Sequence, residues 1–303
     1  TEVRDRIDAM GDSTVVVGDE TTIKVHIHVK DPGEPITYGS SLGAITDVVV
    51  ENMQFQMEEI VHSGNGGGTA VTPIPESVPE VAIEPGQIGV VAVAAGDGLG
   101  VVFRSLGAAH IVSGGQTNNP STEEIYQAIQ DVPTDKVIIL PNNKNIILAA
   151  ESARDLSAKE VVVVPSVTAP QGLSAMLAWQ PDGDLASVSD EMQAMADAVV
   201  TAELTRATRS VELDGVAVEE GEMIGLVNGK LCAANNSLDK VLAGVFDHMA
   251  IDEREIVSIY YGADKREADA TAVAAQIEAR CPDVEVEVLP GGQPHYYFII
   301  SAE

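Results

Sequence analysis

Between Gln87 and Val164 three short runs are almost purely apolar: Ile88 to Ala95, Val137 to Leu140 and Val161 to Val164. A strand with one wet face alternates apolar with polar residues. A continuously apolar strand has to be covered on both faces. The stretches between the runs have helical spacing. Leu99, Val102, Phe103 and Leu106 recur at helical intervals, and Ile125, Ala128 and Ile129 follow Ser121-Thr122-Glu123-Glu124, a capping-box pattern. Asn145 precedes a third helical stretch, Ile146 to Leu156. Buried strands alternating with helices predict an α/β layer architecture: a parallel sheet with helices on both sides.

The rest of the chain is organised around this block. Ser63 to Gly86 contains Gly64, Gly66, Gly67, Gly68, Pro73, Pro75, Pro79 and Pro85, so it reads as a linker. Its Val81-Ala82-Ile83 can still pair as a short edge strand. Before it, Val15 to Val17, Thr22 to Val29 and Ile45 to Val50 read as strands and Pro35 to Leu42 as a short helix, giving a small α+β segment. Beyond it lie two α/β subdomains. The expected divisions are 1–62, 63–86, 87–172 and 173–303. In the last of these, Pro165 to Asp184 reads as an irregular connection leading in. Ser189 opens a helix, Ala207 to Leu213 and Met223 to Val227 are strands, and Asn228-Gly229 signals a hairpin. Ser237 caps a helix through Phe246. Strands at Ile256 to Tyr260, Val284 to Leu289 and Tyr296 to Ile300 surround an Ala-rich helix from Lys265 to Arg280.

Charge narrows the function. The chain holds 47 acidic and 17 basic residues, a net charge of −30. The segment 1–86 (15 acidic, 4 basic) and the remainder are both strongly acidic. Nucleic acid and anionic lipid headgroups bind basic surfaces, so neither is expected as a partner. A basic protein surface is attracted by such a field, and the same charge also serves solubility. No apolar run reaches the roughly 20 residues of a membrane span, and no secretory h-region opens the chain. Two cysteines, Cys232 and Cys281, form no disulfide framework and no zinc spacing, which fits a reducing, cytoplasmic compartment. The chain begins at Thr1 rather than Met, as a piece of a longer protein would.

Two sets of residues can carry chemistry. In Ile23 to Lys30 strict alternation puts Lys24, His26, His28 and Lys30 on one strand face. His26 and His28 stand two residues apart, roughly 6.6–6.8 Å along a strand. That spacing can hold a metal or a phosphoryl group between the rings, and it equally suits a solvated face; no third ligand stands nearby in sequence, and no metal site is assigned. The second set is the loops following the parallel strands: Gly96, Asp97 and Gly98; Gly115, Gln116 and Thr117; and Asn142, Asn143, Lys144 and Asn145. Ligands of open α/β sheets sit outside these strand ends. Yet no dinucleotide fingerprint and no phosphate-binding P-loop is present, and turn and capping chemistry accounts for most of these residues as well. His295, in Gly291-Gly292-Gln293-Pro294-His295, precedes the last strand.

Taken together, several stretches resemble the kinase subunit of bacterial fatty acid kinase, long described as dihydroxyacetone-kinase-like or Dak-phosphatase-like. They are Gly11-Asp12-Ser13, Val15 to Asp19, Lys24 to His28, Asp31-Pro32-Gly33, Val93 to Gly98, Gly114-Gly115-Gln116-Thr117 with Asn119 to Thr122, and Leu140 to Asn145. The resemblance covers nearly the whole chain. It implies a three-part protein. A helical domain, absent here, binds ATP and magnesium; this chain itself has no cofactor. A middle domain dimerises and carries an essential cysteine and two histidines, which His26 and His28 match; no cysteine precedes Cys232. A C-terminal domain resembles DegV-like fatty-acid-binding proteins and docks such a partner through the partner's basic surface. The intact enzyme would phosphorylate bound fatty acid to acyl phosphate, and this chain alone would be inactive. A stand-alone lipid- or small-ligand-binding protein, or a metal-dependent phosphatase-like protein, are the alternatives.

Overall fold

A computed structural model describes residues 6–7, 10, 12–18, 23–29, 33–43, 45 and 83–303. The chain divides into two compact units, Thr1–Pro73 and Ile74–Glu303. In the first, β1 (Asp12–Gly18) and β2 (Ile23–His28) pair antiparallel, with Val15 opposite His26 and Asp12 opposite His28. A register shift separates those two pairs. The backbone thus places both histidines on one ladder, while their side chains lie outside the described residues. Helix α1 (Gly33–Leu42) follows. Val25, on the alternating apolar face, is 39% exposed. The strand expected over Ile45 to Val50 lies outside the described residues beyond Ile45, as does the expected Gly/Pro-rich linker up to residue 82.

The second unit begins with β3 (Ile88–Ala94), α2 (Asp97–Ser105), β4 (His110–Ser113), α3 (Thr122–Asp131), β5 (Lys136–Leu140), α4 (Ile147–Leu156) and β6 (Glu160–Val163). The sheet order is β4-β3-β5-β6, parallel throughout. All seven residues of β3 are buried. Ile88, Val90, Ala92, Ile138 and Leu140 pack with Leu99, Phe103 and Met192 on one side; Val91, Val93, Val137 and Ile139 pack with Ile125, Ile129 and Ile146 on the other. Coverage on both faces is what the apolar runs require. The Ser121 capping box forms as the sequence indicates: its hydroxyl accepts from Glu124 N, and the Glu124 carboxylate accepts from Ser121 N.

Three expectations for the middle of the chain need correction. The connection from Pro165 to Asp184 contains a helix, α5 (Ala169–Leu177), started by Thr168, whose side chain accepts from Gln171 N, and by Pro170 in the first turn. The next helix, α6 (Leu185–Ala198), is capped by Asp184 rather than opened by Ser189. The strand expected over Ala207 to Leu213 is instead β7 (Val200–Arg206) followed by a short β8 (Val211–Leu213). Thr201, Glu203 and Thr205 interrupt the apolar signal of β7, which nevertheless runs through the centre of a sheet.

That sheet is completed by β10 (Met223–Val227), β11 (Lys230–Asn235), β12 (Ile256–Tyr261), β13 (Glu285–Pro290) and β14 (Phe298–Ala302), in the order β11-β10-β7-β14-β12-β13. Only the β12–β13 pair is parallel. Before β10, β8 and β9 (Val216–Val218) form a separate hairpin around Asp214-Gly215; Asn228-Gly229 turns β10 into β11. Helices α7 (Leu238–Met249) and α8 (Glu267–Arg280) cover one sheet face with Val241, Val245, Phe246, Val273 and Ile277. Ser237 stands at the start of α7 but makes no side-chain cap. On the opposite face, Tyr260 and Ile299 join the core of the parallel sheet. No described helix is long and apolar enough to cross a membrane.

The two sheets meet backbone to backbone. Leu99 N donates to Gly291 O at 2.9 Å, and Gly291 N donates to Tyr261 O at 3.0 Å. A Cβ on Gly98 would collide with the Pro290 carbonyl, and one on Gly96 with the backbone of Gly292. Gly96 also has a φ of 99°, which strains any L side chain. Because backbone cannot yield as a flexible side chain can, Gly98→Ala is expected to cost about 1–3 kcal/mol, the range for overpacking a close contact. Urea unfolding of the variant against the parent measures it.

Candidate functional site

The carboxyl ends of the parallel strands open onto a cleft closed from the other side by the mixed sheet. From the first sheet come Val93 and Ala95, Gly114 to Gln116, Pro141 to Asn143, and Val167 to Pro170. From the second come Glu203 on β7, Gln293 to Tyr296 before β14, and Ile299. This is the place where ligands of open α/β sheets bind.

The loops are held by their own hydrogen bonds. Asn142, at a φ of 54°, donates from Nδ2 to Val93 O at 2.8 Å and accepts at Oδ1 from Ser166 Oγ at 2.7 Å. Its amide packs where a Cβ on Gly172 would stand. Asn143 is buried and accepts from Asn145 N at 2.9 Å, so Asn145 serves the turn rather than the cleft lining. Gly115 lines the cleft against Ala95. Gly96 and Gly98 belong to the backbone seam, and Asp97 is exposed beside them. Thr117 and Lys144 stand at the rim, outside the lining. The strand-end loops picked out by sequence are therefore the right ones, but many of their polar groups are engaged in holding the loops. His26 and His28 belong to the other compact unit.

A polar bridge spans the cleft. Gln116 Nε2 donates to Tyr296 Oη at 2.8 Å, and Glu203 lines the same cleft. Beside it, Thr117 Oγ1 and His295 Nε2 are 3.0 Å apart, and Thr205 Oγ1 donates to His295 O at 2.5 Å. These bonds hold His295 at a φ of 70°. Thr168 and Thr201 hydroxyls meet at 2.9 Å across the same seam. Gln293 is 2% exposed; its Nε2 donates to Tyr260 O at 2.9 Å, and its Oε1 has no partner among the described residues.

Burial pushes the Glu203 carboxyl above the usual range, against the opposing pull of the Tyr296 hydroxyl and the Lys144 charge. Burial, followed by the Glu203 charge, pushes the Tyr296 phenol up as well. Glu203 and Tyr296 are invisible as site residues in the sequence. Their one signal, a lone carboxylate between Ala202 and Leu204, depends on seeing β7 as a central strand.

The cavity left among these side chains is about 50 Å³. Small-molecule pockets generally run to roughly 300–1,000 Å³. The cleft has the position of a binding site and the polar groups of one, with its interior occupied by its own side chains.

The raised Glu203 pKa has a definite sign in stability. A carboxyl that is harder to ionise in the fold binds its proton more tightly there than in the unfolded chain. Its contribution is full below the ordinary value of 4.5 and is lost as pH rises through the raised folded value. Glu203→Gln, which keeps the shape without the charge, is expected to flatten that decline and to be more stable than the parent above this window. Denaturant unfolding of both proteins across mildly acidic to neutral pH measures it.

Family models for the C-terminal and middle domains of FakA-like fatty acid kinase proteins match residues 89–303 and 1–60, respectively. An uncharacterized protein of Staphylococcus aureus (strain MRSA252) is 34% identical over 302 residues. One of Staphylococcus saprophyticus is 33% identical over 300 residues. The match takes in 100% and 99% of this chain, respectively, and 53% of each relative, so the chain spans about half their length. Among solved structures, a DegV family protein of Corynebacterium glutamicum superposes with a TM-score of 0.53 at 14% identity, over 72% of this chain and 96% of that one. A Thermotoga maritima protein described as revealing fatty acid binding function gives 0.53 at 10% identity, over 72% and 99%. At such identities the likeness concerns the fold: the second unit has the fold of DegV-family proteins. The chain belongs to the FakA-like fatty acid kinase family and carries its middle-domain and C-terminal-domain sequence.

Proposed function

We propose that this chain is the partner-docking portion of a cytoplasmic fatty acid kinase subunit. In this reading residues 1–62 are the end of the middle domain, 63–86 a linker, and 87–172 and 173–303 the two subdomains that dock a DegV-like fatty-acid-binding protein. The observation that carries it is a carrier-like fold whose cleft keeps only about 50 Å³. An alkyl chain needs far more room, which weighs against the alternative of a stand-alone lipid carrier. The acyl chain is then held by the partner. The net charge of −30 supplies long-range attraction toward a basic docking surface.

In the intact protein a preceding domain supplies ATP and magnesium, the middle domain forms a homodimer, and the product is an acyl phosphate. His26 and His28 contribute to phosphoryl transfer. The support for that role is their match to the family motif and their common place on β2. Imidazole suits the task because it gains and loses a proton near neutral pH.

Two outcomes follow. The chain should bind a cognate fatty-acid-loaded DegV-like protein at low salt and release it as ionic strength rises, because screening weakens charged contacts. Calorimetry over a salt series reads this, and no binding even at low salt would sink the proposal. In the intact protein, His26→Ala or His28→Ala should abolish acyl-phosphate formation while partner affinity stays unchanged. Full turnover in either variant contradicts the role.

A further inference from the structure

The hairpin of β8 and β9 stands apart from the two large sheets. It is a two-stranded sheet of its own, and among the described residues β8 pairs with β9 alone. Residues opposite each other in an antiparallel pair share a face. Val211 stands opposite Val218, and Leu213 opposite Val216. These four apolar side chains therefore lie on one side, with Glu212 and Ala217 on the other. The β9 half of the apolar side is seated: Val218 is buried with Ala207 and Leu231, and Val216 packs against them. The β8 half overhangs, with Val211 39% and Leu213 50% exposed.

The ledge is held in place from both ends. Asp214 Oδ2 accepts from Leu231 N at 2.9 Å, which ties the turn to β11. Arg206 Nη1 donates to Gly221 O at 2.6 Å, and Glu220 N donates to Ser210 Oγ at 2.9 Å. A surface fixed in this way loses little freedom on binding. Its surroundings are of one sign. Residues 211–229 contain Glu212, Asp214, Glu219, Glu220 and Glu222 and no lysine or arginine, with Arg209 and Lys230 flanking the stretch.

An apolar centre with a charged rim is the anatomy of a docking surface. An open strand edge adds main-chain groups for a second strand to pair with. The charge selects the occupant. A second copy of this chain would set these carboxylates against their own kind, and nucleic acid or anionic lipid would be repelled as well. A protein surface that is apolar at its centre and rimmed by lysine and arginine is complementary to both features. We propose that the overhanging face of β8, centred on Val211 and Leu213, is where this chain seats its basic protein partner. The proposal rests on the docking reading and adds the place of contact: the acidic rim attracts at long range, and the ledge supplies the dry contact at short range.

The test uses this chain and its cognate fatty-acid-loaded DegV-like protein, with binding read by calorimetry. Leu213→Asp is the informative variant, because it strengthens the acidic field while removing the apolar centre. Its affinity is expected to fall about tenfold or more, the scale of an interface anchor. Glu219→Gln combined with Glu220→Gln should weaken binding less and make it less sensitive to salt. Leu148→Asp, at a side chain on α4 that is 73% exposed, should bind as the parent does. Should Leu213→Asp disturb the hairpin, hydrogen exchange of the parent decides: the amides of residues 211–213 should slow when the partner is added. Parent binding that Leu213→Asp leaves intact, or protection that skips β8, overturns this surface and leaves the docking reading standing. No binding by the parent removes both. Self-association of the parent that Leu213→Asp abolishes makes a second copy the occupant and overturns the proposal.

Discussion

The backbone seam between the two sheets sets the geometry of everything in the second unit. Leu99 N bonds to Gly291 O, and the glycines at 96 and 98 bring one main chain against the other with no side chain between them. Contact at that range fixes two strand ends relative to each other within the tolerance of a hydrogen bond. The carboxyl ends of the parallel strands therefore face β7 and the loop before β14 at a single separation. Were the seam looser by the width of a methyl group, Gln116 would not reach Tyr296. The cleft depends on the seam, and the seam depends on glycine.

The burial pattern explains why the parallel sheet was legible. A strand covered on both faces must be apolar at every position, and β3 and β5 meet that demand almost without exception. Helix starts were legible where side chains serve the backbone, as at Ser121. They were misjudged where a better cap stood nearby: Asp184, at the end of the expected connection, accepts from Ser187 N and starts α6 well ahead of Ser189. The hairpin at Asn228-Gly229 was legible because positive φ at both residues needs those residue types.

The strand β7 shows where pattern reading ends. Thr201 and Glu203 sit in the middle of a six-stranded sheet, yet each spoils the apolar signal. The partner of Thr201 is distant in sequence: its hydroxyl meets that of Thr168. A polar residue satisfied by a partner from another part of the chain leaves no local trace, whereas apolar coverage does. The same limit applied to the loops. Glycine and asparagine clusters were recognised as strand-end loops, but the sequence could not tell the residues that line the cleft from those that hold the turns. Asn142 does both, and Asn145 only the second.

Fold likeness and binding capacity separate here for a physical reason. A fold fixes where strand ends converge; the side chains that reach into the convergence decide whether room remains. The second unit shares its strand layout with proteins of the DegV family, but its cleft is lined by Gln116, Tyr296 and Glu203, the first two hydrogen-bonded to each other. Burial of the Glu203 carboxyl carries a desolvation cost and pushes its pKa up. An apolar side chain of equal size would line the cleft with no desolvation to offset.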